Sequence, residues 1–152
     1  KSIQTMISDA GFVQALELSL NVGYEPSATP DLSSIVVHVP TIRLKLWDWD
    51  REDGDEVNIY CNGEEIVRGY KILNNPTYID INLQIGNNEI IFEGHRNPLG
   101  VLTGRLQVMT TSDEILFDVG DLPDLTFPRV NQDKNGYYTK KPAKTWIVSR
   151  LN

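Results

Sequence analysis

The stretch Ile42-Arg-Leu-Lys-Leu-Trp-Asp-Trp-Asp-Arg-Glu-Asp-Gly-Asp-Glu-Val-Asn-Ile-Tyr-Cys-Asn-Gly63 constrains this chain more than any other, because strand, acidic loop, strand and tight turn follow one another without a break. Ile42, Leu44 and Leu46 alternate with Arg43, Lys45 and Trp47, the period-two pattern of a strand with one buried face. Val57, Ile59 and Cys61 repeat it after the loop, and Asn62-Gly63 best tolerates the positive φ angles of a type I′ hairpin turn. Asp48, Asp50, Glu52, Asp53, Asp55 and Glu56 place six carboxylates in nine residues around a single Gly54.

The remaining segments read mainly as further strands. Ile35 to Val39 is a β-branched run ended by Pro40, which leaves it on a sheet edge or separates it from the strand at Ile42. Glu65 to Ile72 returns from the Asn-Gly turn, Tyr78 to Ile85 alternates, and Gly86-Asn87-Asn88 turns the chain into Glu89 to Gly94. Arg105 to Thr111 and Ile115 to Val119 follow. Ile3, Met6, Ile7 and Ala10 stand at helical spacing before Gly11, so a short helix is expected over 2–10, with a strand over 16–22 and a loop over 23–34. Pro123, Pro128 and Pro142 mark 121–144 as an extended arm with one hairpin at Asp133-Lys134-Asn135-Gly136, and Trp146-Ile147-Val148 reads as a terminal strand that docks elsewhere.

Strands recurring every eight to twelve residues between turn signals predict an all-β fold. The expected form is an antiparallel β-sandwich, immunoglobulin-like or jelly-roll, with a short N-terminal helix and an extended C-terminal arm. The 152 residues fit one domain, with 1–22 as lead-in, 35–119 as core sandwich and 120–152 as arm. The formal charge of −7 argues against nucleic acid, which needs clustered Lys and Arg. No apolar run of about 18 residues is present to span a membrane as a helix. Cys61 is the single cysteine, so no internal disulfide forms, and its place on the inward side of a strand predicts a buried thiol. The chain begins at Lys1 rather than Met, which reads as a mature product or a piece cut from a longer polypeptide.

Hard cations such as Ca²⁺ take oxygen ligands that short Asp side chains in a tight loop supply, and Asp48, Asp50, Asp53 and Asp55 have the needed density. The helix-loop-helix calcium pattern does not fit, since counting from Asp48 puts Gly54 at position 7 and Ile59 at position 12, where a bidentate Glu is required. A β-loop site of another kind is expected, with a solvated acidic loop as the alternative. Trp47 and Trp49 share one parity, and with Tyr60 across the hairpin they form either an aromatic platform for a sugar ring or a packed interface. No Gly-x-Ser-x-Gly elbow or other nucleophile motif accompanies His38, His95 or Ser112-Asp113, so no catalytic residue is assigned.

Asp53-Gly54-Asp55-Glu56-Val57-Asn58-Ile59-Tyr60, Asn62-Gly63-Glu64-Glu65 and Gly86-Asn87-Asn88-Glu89-Ile90-Ile91-Phe92 resemble a repeat of bacterial and phage-associated surface proteins of immunoglobulin-like sandwich type. In that repeat an apolar strand leads into an acidic Asp-Gly-Asp loop, and the likeness extends over about residues 42–110. The chain departs from it at His95-Arg96-Asn97-Pro98-Leu99-Gly100, where a Gly- and Pro-rich loop ending in Asn-Thr is expected. The resemblance implies a module of a larger extracellular or virion polypeptide. The expected function is therefore a non-enzymatic structural or interaction module, such as part of a virion or secreted adhesin. It would be stabilised by calcium and contact neighbouring subunits through the arm. The alternative is a carbohydrate-binding module using Trp47, Trp49 and Tyr60, and a hydrolase ranks third because a count of carboxylates is no evidence of a cleft.

Overall fold

A computed structural model describes residues 32–117 and 125–152. The helix expected over 2–10 and the strand over 16–22 lie outside those residues. Ten strands are described: β1 (Leu32–Val37), β2 (Thr41–Trp47), β3 (Glu56–Cys61), β4 (Glu64–Lys71), β5 (Thr77–Asn82), β6 (Gly86–Arg96), β7 (Leu102–Met109), β8 (Ile115–Phe117), β9 (Leu125–Phe127) and β10 (Ala143–Arg150). They form one sheet in the order β1-β10-β6-β3-β4 and a second in the order β5-β2-β7-β8, with β9 paired to β7. Every pairing is antiparallel except β1 with β10, which run parallel.

Alternation selects the core. Ile42, Leu44 and Leu46 of β2 are all fully buried, and so are Val57 and Ile59 of β3. They belong to one apolar cluster that also takes Leu106 and Val108 of β7, Ile81 of β5, Phe92 of β6 and Trp146 of β10, so both sheets feed a single core. Cys61 lies in it, as its strand parity predicts, and burial raises its thiol pKa. The Asn62-Gly63 turn has the expected left-handed backbone at both positions, φ 53° and 83°.

Three expectations need correction. First, β2 and β3 do not form a hairpin: they lie in different sheets, and residues 48–55 cross between them. Second, Gly86-Asn87-Asn88 is the start of β6 rather than a turn. Asn88 is fully buried because its amide does turn chemistry from inside the strand, donating to the carbonyls of Gln84, Gly86 and Val148. Third, the terminal strand expected at Trp146-Ile147-Val148 forms and docks, but as an inner strand of the first sheet rather than as the end of an arm. β10 lies between β1 and β6, and Trp146 meets Phe92 edge-on at 4.8 Å between ring centroids. The prolines marked only 121–144 as arm, and the apolar residues beyond Pro142 occupy a core position.

Residues 128–138 pack on the loop after β6. Asn97 N donates to Gly136 O, and the Gln132 amide donates to the carbonyls of both Asn97 and Gly136. Gly136 has φ 88°, and an added Cβ would stand 2.8 Å from Pro98 Cα and 2.9 Å from Asn97 O. Both neighbours are backbone and cannot swing aside. Gly136→Ala is therefore expected to cost about 2 kcal/mol or more in urea unfolding, from left-handed strain plus overlap. Gly63 has the same strain at φ 83° with nothing within 4 Å of the added Cβ, so Gly63→Ala is expected to cost less, about 1 kcal/mol.

Candidate metal centre

The inter-sheet loop is pinned at both ends by the segment following β4. Asp48 N donates to Leu73 O at 2.8 Å, and Ile72 N donates to Asp55 O at 2.9 Å. The Asn74 side chain donates to the carbonyls of Asp48 and Asp50, both at 2.8 Å, while Asn74 N donates to Glu52 Oε1. Asp48 and Asp55 are thus fixed where the chain leaves β2 and enters β3, and the residues between them fold back over one point.

That point gathers three carboxylates: Asp48, Asp53 and Asp55 each offer one oxygen, all within 4.8 Å of one another. Oxygens bound to one Ca²⁺ at about 2.3–2.6 Å are at most about 5 Å apart, so this spacing matches a shared cation. Asp48 is 2% exposed and Asp55 fully buried. One oxygen of each is satisfied: Asp48 Oδ1 accepts from Asp50 N and Thr103 Oγ1, both at 2.9 Å, and Asp55 Oδ2 accepts from Thr103 N at 3.2 Å. Asp48 Oδ2, Asp53 Oδ1 and Asp55 Oδ1 are buried without a hydrogen-bond donor.

Uncompensated carboxylate oxygens out of water are costly, and the cost appears in the titration of the group. Burial, with the Asp53 charge beside it, pushes the Asp55 carboxyl up to about 8. Burial raises Asp48 as well, against the lowering effect of its hydrogen bonds from Asp50 N and Thr103. A divalent cation would supply the missing positive charge to the three carboxylates at once. The donor set is all oxygen, which suits a hard cation and not a thiophilic one.

Of the four aspartates singled out in the sequence, Asp50 stands apart: it is exposed and outside the group of three. It lines a neighbouring cavity of about 400 Å³ with Arg51, Asp53, Gly100, Val101 and Thr103. The aromatic trio is not assembled. Tyr60 lies on β3, in the other sheet from Trp47 on β2, and its hydroxyl is 3.4 Å from both Glu93 Oε1 and Arg68 Nη2. Lys45 Nζ is 5.4 Å from the Trp47 ring centroid, and Arg105 Cζ is 4.6 Å from that of Trp49, which is 45% exposed. His95 stands 3.9 Å from Glu56 Oε1, with its ring edge-on to Tyr137.

Thr103 and Asn74 were not legible as site residues. A threonine in an apolar strand and an asparagine before Asn-Pro read as filler and turn; only the fold brings them to the acidic loop. No family model matches this chain, and neither a curated protein nor a solved structure matches it significantly.

Proposed function

We propose that this chain is a non-catalytic structural or interaction module of a larger surface assembly, extracellular or on a virion. In this reading it is a β-sandwich of immunoglobulin-like or jelly-roll kind whose inter-sheet loop holds one Ca²⁺ through Asp48, Asp53 and Asp55. The observation that carries the proposal is that three aspartates, each with one buried oxygen lacking any donor, bring carboxylate oxygens within 4.8 Å of one another at the crossing between the sheets. A cation there ties the exit of β2 to the entry of β3, and through Thr103 to β7. Its work is to fix the relation of the two sheets rather than to activate a substrate. Few charged ligands and a β-loop favour the weak end of calcium affinity, which suits the millimolar calcium outside cells.

Calorimetric titration with calcium at neutral pH is the test. One ion is expected to bind per chain, with binding lost in Asp53→Asn, a half-buried position where the near-isosteric amide lets the variant fold without rearranging the core. No binding heat at any temperature tried, together with no displacement of a bound terbium probe, would remove the proposal.

A further inference from the structure

The outer face of the second sheet carries a groove separate from the acidic loop. Strand register builds it: Asp80 on β5, Arg43 on β2 and Met109 on β7 stand in one row across the sheet, and Tyr78 stands beside Lys45 in the next. These side chains face away from the core because Ile79, Ile81, Leu44 and Val108 take the inward parity. The turn after β7 closes one side of the groove, where Arg43 Nη1 donates to Asp113 Oδ1 at 3.1 Å and to Thr111 O at 3.2 Å. On the other side Arg43 holds Asp80 with two bonds, Nε to Oδ1 at 2.8 Å and Nη2 to Oδ2 at 3.2 Å. Arg43, Tyr78, Asp80, Met109 and Asp113 line a cavity of about 590 Å³, within the range of small-ligand sites.

We infer that this groove binds a neutral saccharide, independently of any metal. Its polar lining is ordered before a ligand arrives, since two carboxylates and a carbonyl hold the Arg43 guanidinium in place. Those bonds use four of the five N–H donors, so one N–H stays open beside the remaining lone pairs of Asp80 and the second oxygen of Asp113. Fixed donors and acceptors side by side match neighbouring hydroxyls, each of which both donates and accepts. Charge disfavours the rival classes. Asp80 and Asp113 repel an anion, Arg43 between them already engages both, and Lys45 in the next row balances the face, so neither a phosphate nor an ammonium group is selected. Tyr78, 53% exposed, offers a ring on which the C–H face of a sugar stacks, and Met109 gives an apolar floor. The site differs from the aromatic platform read in the sequence, because Trp47, Trp49 and Tyr60 are not among its lining residues.

The test applies the full chain to an array of neutral and acidic glycans in EDTA and again in calcium, at low and at high salt. Neutral glycans are expected to be retained equally under all four conditions. Tyr78→Ala and Asp113→Gly are each expected to weaken retention about tenfold. Both variants are expected to keep the unfolding temperature, because Tyr78 and Asp113 are exposed and glycine adopts the φ of 67° at position 113 freely. Trp49→Ala is expected to leave retention unchanged. An array with no neutral glycan retained would overturn the inference, and so would retention that survives both groove variants. Binding confined to acidic glycans and lost at high salt would overturn the ligand class, and retention seen only in calcium would overturn its independence of metal. Failure on the array leaves the calcium reading standing, and a flat calcium titration leaves this groove standing.

Discussion

Replacing Asp55 by Asn is expected to raise the unfolding temperature in EDTA by several degrees and to abolish the response to calcium. The two halves of that result have one cause. Asp55 is fully buried, one of its oxygens has no donor, and the Asp53 charge stands beside it. Without a cation the ionised carboxyl destabilises the fold, whereas a neutral amide of the same shape can donate to Asp48 or Asp53. The pH dependence follows by linkage. The unfolded chain releases the Asp55 proton near the ordinary aspartate value of 3.8, while the folded chain retains it up to about 8. Between those values the folded state binds more protons, so in EDTA stability falls as pH rises across that window and levels off above it. Asp55→Asn is expected to flatten that slope. In calcium the wild type is expected to gain relative stability with rising pH, since the ion binds the deprotonated form. Thermal unfolding of both proteins across the window, with and without the ion, checks all four curves. A variant less stable than wild type in EDTA would mean that the carboxylate is better satisfied than its hydrogen bonding indicates.

Trp146→Ala is expected to cost about 3–5 kcal/mol in urea unfolding, a large part of the roughly 5–15 kcal/mol that holds a domain of this size together. Trp146 is 1% exposed and packs edge-on against Phe92, while β10 joins β6 on one side and β1 on the other. For the same reason, removing residues 121–152 is expected to unfold the protein rather than free a docking arm. A loss below about 1 kcal/mol for Trp146→Ala would mean that the terminal strand is peripheral.

The sequence was informative where one local rule decides the outcome. Period-two alternation identified the buried faces of β2 and β3, and Asn62-Gly63 identified its turn, because pleat and positive φ are properties of a few adjacent residues. Partner choice is not local. Nothing in Ile42 to Gly63 says that β2 pairs with β5 and β7 while β3 pairs with β4 and β6, and so the expected hairpin, with Tyr60 opposite Trp47, did not form. The same limit hid where the terminal strand docks, since the partners of β10 lie fifty or more residues away at β6 and more than one hundred away at β1. At the candidate site, acidic density located the loop, but not which aspartates converge. Asp48, Asp53 and Asp55 meet because Ile72, Leu73 and Asn74 pin the loop, and Asp50 is left at the rim.

The central claim is that the loop between the sheets is completed by a cation, and the most direct measurement is the unfolding temperature of the wild-type chain in EDTA and through a calcium titration. A ligand at about one hundred times its Kd that binds only the folded state contributes about 2.7 kcal/mol, which for a chain of this length is a rise of about 10 °C. The account predicts a rise of that order, saturating with calcium and absent in Asp53→Asn. An unfolding temperature that stays the same from EDTA to saturating calcium would contradict it, and the three buried oxygens would then be uncompensated in the working protein.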